Sequence, residues 1–108
     1  MKKRDTYIVV YSTFPDLKTT KKIISGLITH KFAACGNILK LHSIYTWKGT
    51  VERNPEYGAF IKTKKKNYKD VETYIKKHHP YEVPEIVCWS IEKGLPAYLD
   101  WVSEVTKG

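Results

Sequence analysis

His78-His79-Pro80-Tyr81-Glu82-Val83-Pro84-Glu85 places two imidazoles, a phenol and two carboxylates in one short stretch. Imidazole with carboxylate is a donor set that suits copper or zinc. The same groups can instead form hydrogen bonds near a boundary between subunits. Pro80 and Pro84 hold the stretch extended, because each fixes its own φ and drives the residue before it out of the helical region. As a ligand, His79 would join His78 and Glu82 or Glu85. Adjacent histidines at a helix end do not readily aim both rings at one ion, so donors from elsewhere are needed. As a structural residue, His79 would hydrogen-bond within the fold. Cys35 is a further soft donor, or else a small packed thiol. No residue set resembles a nucleophile with a positioned base. The lysine cluster from Lys62 to Lys66 lacks the glycines of a phosphate loop. No enzymatic activity is expected.

The elements that must position these groups follow from periodicity. Thr6 to Thr13 is β-branched and aromatic and predicts a buried strand. Phe14-Pro15-Asp16 leads into a helix with Asp16 as its N-cap. Leu17, Ile24, Leu27 and Ile28 then fall at helical spacing, with Ile23 beside them. Gly26 weakens this helix by about 1 kcal/mol relative to alanine, so packing must hold it. From Ala34 the period becomes two: Leu39, Leu41, Tyr45 and Trp47 share one face, and Ile38, Lys40, His42 and Ile44 the other. Lys48-Gly49 marks a hairpin turn. The return strand runs from Thr50 to Thr63, with Pro55 expected to interrupt its pairing. A helix follows over 65–78, with Tyr68, Val71 and Ile75 on its apolar stripe. The last strand spans 85–91, and Pro96 opens a final amphipathic helix carrying Tyr98, Leu99, Val102 and Val105.

This order is β-α-β-β-α-β plus a helix, the ferredoxin-like α+β sandwich, with helices expected on one face of an antiparallel sheet. Strands of about 12 residues span about 40 Å, whereas a domain of this size has a radius of gyration near 13 Å. The central hairpin should therefore project beyond its own subunit. It carries Tyr45, Trp47, Tyr57 and Phe60, and projecting aromatics need a cover. Self-association supplies one, so an obligate oligomer is expected. The loop before the last strand would then meet a neighbour's ribbon and form an intersubunit cleft lined by Tyr45, Trp47, Lys62, Tyr81, Glu82 and Glu85. Lys62 could offer a charge to an anionic ligand there, or pair with a glutamate while the aromatics simply pack. If the Trp47 ring is buried, Trp47→Ala is expected to cost about 3–5 kcal/mol.

The chain has 108 residues, 42% hydrophobic and 13% aromatic. It is read as one folded domain over 1–108, with residues 1–6 a basic, flexible N-terminus. Cys35 and Cys88 are the only cysteines, too few for a disulfide framework and spaced unlike a zinc site. The net charge of +8 comes largely from lysines expected on solvated helix faces, including Lys64. No nucleic-acid-binding signature accompanies it, so specific nucleic-acid binding is not expected. No apolar run approaches the roughly 20 residues of a membrane span. A cytoplasmic, non-membrane protein is expected.

The sequence resembles the CutA family of divalent-cation tolerance proteins. The resemblance rests on Tyr11-Ser12-Thr13-Phe14-Pro15-Asp16, Phe32-Ala33-Ala34-Cys35-Gly36-Asn37-Ile38, Ser43-Ile44-Tyr45-Thr46-Trp47-Lys48-Gly49, Ile61-Lys62-Thr63, His79-Pro80-Tyr81-Glu82-Val83-Pro84-Glu85-Ile86 and Tyr98-Leu99-Asp100-Trp101. These occur in family order across about residues 7–106. The resemblance implies a homotrimer of ferredoxin-like subunits, similar in architecture to PII-type signalling proteins. It implies a role in tolerance to copper and other divalent metals, no established catalysis and no required cofactor. Metal binding would involve His78 and His79, with Glu85 and Cys35 as further donors. Ser12 stands where copper-binding members carry a cysteine, and a hydroxyl replaces a thiolate poorly. The alternative function is that of a PII-like sensor or scaffold that binds a small anion or a protein partner.

Overall fold

The computed structural model describes residues 5–108. The elements are β1 (Tyr7–Phe14), α1 (Leu17–Thr29), β2 (Cys35–Trp47), β3 (Thr50–Lys64), a short 3-10 turn (Lys65–Asn67), α2 (Tyr68–His78), β4 (Ile86–Ser90) and α3 (Pro96–Val105). The four strands form one antiparallel sheet in the order β2-β3-β1-β4.

Alternation along the strands decides what each face carries. Ile8, Val10 and Phe14 of β1 and Ala59 and Ile61 of β3 point to one face, where Ile23, Ile24 and Leu27 of α1 and Val71 and Ile75 of α2 close over them. Each large aliphatic side chain taken fully from water there contributes roughly 1.5–3 kcal/mol. The buried stripe of α1 is Thr20-Ile23-Ile24-Leu27. Leu17 and Ile28, expected on that stripe, lie at its ends and are exposed. Asp16 caps α1 as expected, its Oδ1 accepting from the Thr19 N–H at 2.7 Å. Gly26 has a packing reason: a Cβ there would fall 1.8 Å from the Tyr74 phenol oxygen, so glycine lets α1 approach α2.

The opposite face corrects the expectation that all helices share one side. Tyr7, Lys64 and Cys35 lie on the face away from α1 and α2 by register, and α3 packs against them. The Tyr7 hydroxyl meets Ser103 Oγ at 2.5 Å, and Cys35 Sγ lies 3.5 Å from the Tyr98 hydroxyl. Lys64, expected on a solvated face, is buried under α3, with its ammonium 3.4 Å from the carbonyls of Ser103 and Thr106. A cation near the C-terminal carbonyls of a helix is favoured by the helix dipole. The expected flexible N-terminus falls mainly on residues 1–4, outside the described residues. Asp5 and Thr6 are held in place: Ser103 Oγ donates to Asp5 at 2.6 Å, and the Lys65 N–H donates to the Thr6 carbonyl at 2.7 Å.

Beyond α3 the second face is open. Tyr11, Phe60 and Trp89 cluster on it with ring centroids 5.1 to 6.3 Å apart, and Leu39, Val87 and Trp89 are exposed. The ribbon continues past this surface. β1 pairs with β3 only as far as Phe14↔Tyr57, so Leu41–Trp47 and Thr50–Glu56 have each other alone. The subunit measures 54 × 25 × 21 Å with a radius of gyration of 14.8 Å. Pro55 does not interrupt the ladder, which runs unbroken from Cys35↔Lys62 to Trp47↔Thr50. It lies where β3 has a partner on one side only, and a missing N–H on the open side costs no ladder bond. Positive φ at Lys48 (50°) and Gly49 (80°) makes the two-residue turn whose twist matches the strands.

Candidate functional site

The stretch after α2 turns around the end of β1. His79 takes extended backbone, φ −79° and ψ 136°, as the following proline requires. Its ring is buried and stacks on Phe14 at 5.0 Å between centroids. Nε2–H donates to the Thr13 carbonyl at 2.7 Å, and Nδ1 accepts from the Tyr81 N–H at 3.1 Å. Both nitrogens are thus engaged inside the subunit, and the network fixes the neutral Nε2–H tautomer. Burial holds the His79 pKa below the usual imidazole value, outweighing the Thr13 carbonyl and the Glu56 charge. Of the two readings of His79, this geometry is the structural one.

Past His79 the chain crosses to the open face and meets the base of the ribbon. The two walls enclose a cleft of about 650 Å³. Tyr45, Trp47 and Glu56 line it from the ribbon, and Tyr81, Glu82 and Glu85 from the loop. Thr13, Ser43, Ile44, Pro80 and Val83 complete it. The Tyr81 hydroxyl donates to Glu56 Oε2 at 2.6 Å and ties the walls together. Burial, then this bond to a carboxylate, pushes the Tyr81 phenol well above its ordinary pKa, so it stays a donor. Asn54 Nδ2 donates to the Tyr45 hydroxyl at 3.0 Å. Ser12, on the buried face of β1, donates from Oγ to the Glu85 carbonyl at 2.7 Å and anchors the loop's far end.

The structure therefore brings together Tyr45, Trp47, Tyr81 and Glu82 of the expected cleft, with Glu85 beside them, and does so within one subunit. It does not bring Lys62, which lies on the open sheet face and donates to Asn37 Oδ1. Trp47 is 40% exposed rather than buried. The four residues considered as metal donors are dispersed. His78 packs its ring on Tyr74, 4.3 Å between centroids. Cys35 sits under α3, where burial and then the Cys35 thiol push the Tyr98 phenol up to about 12. Glu85 is at the cleft and His79 is committed to backbone groups. Among the described residues no three His, Cys, Asp or Glu side chains are placed to hold a metal ion, so one subunit alone does not fit one.

Sequence reasoning missed Glu56. The signal was present: once Lys48-Gly49 is taken as a two-residue turn, Glu56 pairs with Leu41 and falls on the same face as Tyr45 and Trp47.

Residues 8–105 match the family model of the CutA1 divalent ion tolerance protein. The divalent-cation tolerance protein CutA of Pyrococcus horikoshii is 35% identical over 93% of this chain and 98% of its own. The crystal structure of CutA1 from Oryza sativa superposes with a TM-score of 0.92 at 34% identity, covering 95% of each chain. The periplasmic divalent cation tolerance protein CutA of Archaeoglobus fulgidus gives a TM-score of 0.92 at 33% identity over 94% of this chain and 99% of that one. The Pyrococcus and Archaeoglobus proteins are named for tolerance to divalent cations rather than for a catalysed reaction. Matched over nearly its whole length, this chain belongs to the CutA1 divalent ion tolerance family.

Proposed function

We propose that the protein acts in divalent-cation tolerance as a homotrimer that takes up divalent cations, copper first and zinc second. The observation that carries the cation reading is the sign of the cleft. Glu56, Glu82 and Glu85 line it, and no lysine, arginine or histidine is among its lining residues. A negative cleft on a chain of net charge +8 attracts cations only locally, which agrees with weak to moderate affinity. The same sign argues against a small anion there. His78 and Glu85 are both exposed, which leaves them accessible to donors across a subunit boundary. Cys35 would have to come from another copy. The exposed Leu39, Val87 and Trp89 and the one-sided ribbon support self-association as the way these surfaces are covered. A cytoplasmic location completes the reading and is checked by cell fractionation.

Calorimetric titration of copper and zinc into tag-free protein tests the uptake. Saturable binding that weakens by about tenfold in His78→Ala or Glu85→Gln, a change of about 1.4 kcal/mol, is the expected result. No binding below about 1 mM, unaltered by those substitutions, rejects the metal reading. Light scattering at micromolar concentration tests the assembly, and a monomer mass rejects the trimer.

A further inference from the structure

Glu56 sits where the ribbon leaves the subunit, and only 4% of it is exposed. Its Oε2 accepts from Tyr81. Among the described residues no other side-chain hydrogen bond and no ion pair reaches this carboxylate. No fully buried side-chain oxygen among those residues lacks a partner, so Oε1 keeps some exposed surface, and Glu56 lines the cleft. A largely buried carboxylate with one phenol as its donor has room for a further donor. A positive group in the cleft would supply one.

The walls say which kind of positive group. A metal ion needs several donors converging on a point, and the described residues of one subunit offer no such set. The cleft instead offers Tyr81, bonded to Glu56, and Tyr45 near it, with Trp47 at its far end, six ladder pairs closer to the hairpin turn. Aromatic faces attract a diffuse positive charge such as an ammonium. A volume of about 650 Å³ suits a small organic molecule rather than a bare ion. We propose that this cleft binds a small organic cation, an amine or quaternary ammonium, with its positive group against Glu56 and its body beside Tyr45 and Tyr81. The proposal rests on reading the cleft as a cation site and adds a class of cation to that reading. Glu82 and Glu85, both exposed, stay at the rim.

The test is a titration of choline and butylammonium into the assembled protein in metal-free buffer. It is followed by calorimetry and by the Trp47 indole N–H cross-peak, assigned with Trp47→Phe. Saturable binding at about 1 mM or tighter is expected. The uncharged isostere of choline, 3,3-dimethylbutanol, should fail to bind. Glu56→Gln keeps an acceptor for Tyr81 and should weaken choline by about tenfold or more, and Lys62→Ala should leave it unchanged. The isostere comparison needs no variant, so it stands even if Glu56→Gln misfolds. No saturation by about 50 mM choline, equal binding of the isostere, or unchanged binding in folded Glu56→Gln overturns the proposal. A parallel zinc titration separates the two readings. Zinc without choline overturns this proposal and leaves the metal reading standing, choline without zinc does the reverse, and neither rejects both.

Discussion

The face of the sheet under α1 and α2 and the face that carries Tyr11, Phe60 and Trp89 are built from alternate residues of the same strands. The first is closed by the subunit's own helices, with Val10, Phe14, Ile61, Val71 and Ile75 wholly buried. The second is closed at one end by α3 and then left with rings and aliphatic side chains in contact with solvent. The composition of the two faces is similar in apolar content, so hydrophobicity alone does not tell them apart. What differs is chain connectivity: α1 and α2 are the crossovers between strands and must lie on one side, while α3 is a single short tail that covers one end of the other. The closed face accounts for the stability of the subunit; the open face and the ribbon are the apolar surfaces it leaves uncovered.

That division can be broken by substitution. Ile61→Ala, on the closed face, is expected to cost about 2–5 kcal/mol in denaturant unfolding, and a loss under about 1 kcal/mol would show that the helices do not seal this side. Gly26→Ala should destabilise by about 1–3 kcal/mol through overpacking against Tyr74, despite the gain of up to about 1 kcal/mol from helix propensity. A net gain would mean that Tyr74 moves aside freely. Trp89→Ala, at a ring 46% exposed in the subunit, should alter unfolding of the dilute subunit by under about 1 kcal/mol. It should nevertheless lower the mass seen by sedimentation at micromolar concentration, and an unchanged mass removes this face from the assembly.

A smaller effect concerns the join between the faces. Burial keeps His79 neutral to lower pH in the folded chain than the ordinary value of 6.5. On acidification the unfolded chain therefore takes up its proton first. The contribution of His79 to stability is complete above about pH 6.5 and is lost as the pH falls through that value toward the folded pKa. The melting temperature should fall between about pH 7.5 and about pH 5.5, and His79→Gln should flatten that part of the profile. A profile with the same slope in the variant would assign the acid sensitivity to other groups.

Much of this was legible in the sequence because it depends on local rules. The period-two run from Ala34, the Lys48-Gly49 turn and the Asp16 cap each fix an element without reference to the rest of the fold. The projecting ribbon followed from length alone. The position of α3 was not legible, because an amphipathic stripe says that a helix packs and not on which side of a sheet. Lys64 was misjudged for the same reason: its burial is created by α3 arriving over it. At the cleft, the aromatic and loop residues announced themselves by type, whereas Lys62 was grouped with them for the charge it could offer an anion. It lies on the same sheet face as Glu56 but six pairs further from the hairpin turn. Glu56 required the register, which is a long-range fact inferred from a turn.

The uninterrupted ladder from Cys35↔Lys62 to Trp47↔Thr50 also limits how the ribbon can change in evolution. Without a bulge to absorb a phase slip, losing a single residue from one arm would send every side chain beyond it to the reverse side. Tyr45 and Trp47 would then point away from the loop, with no change in their identity. Arm length is consequently quantised: it can grow or shrink in matched pairs of residues on both strands, while the distance the ribbon reaches varies and its chemistry keeps its aim.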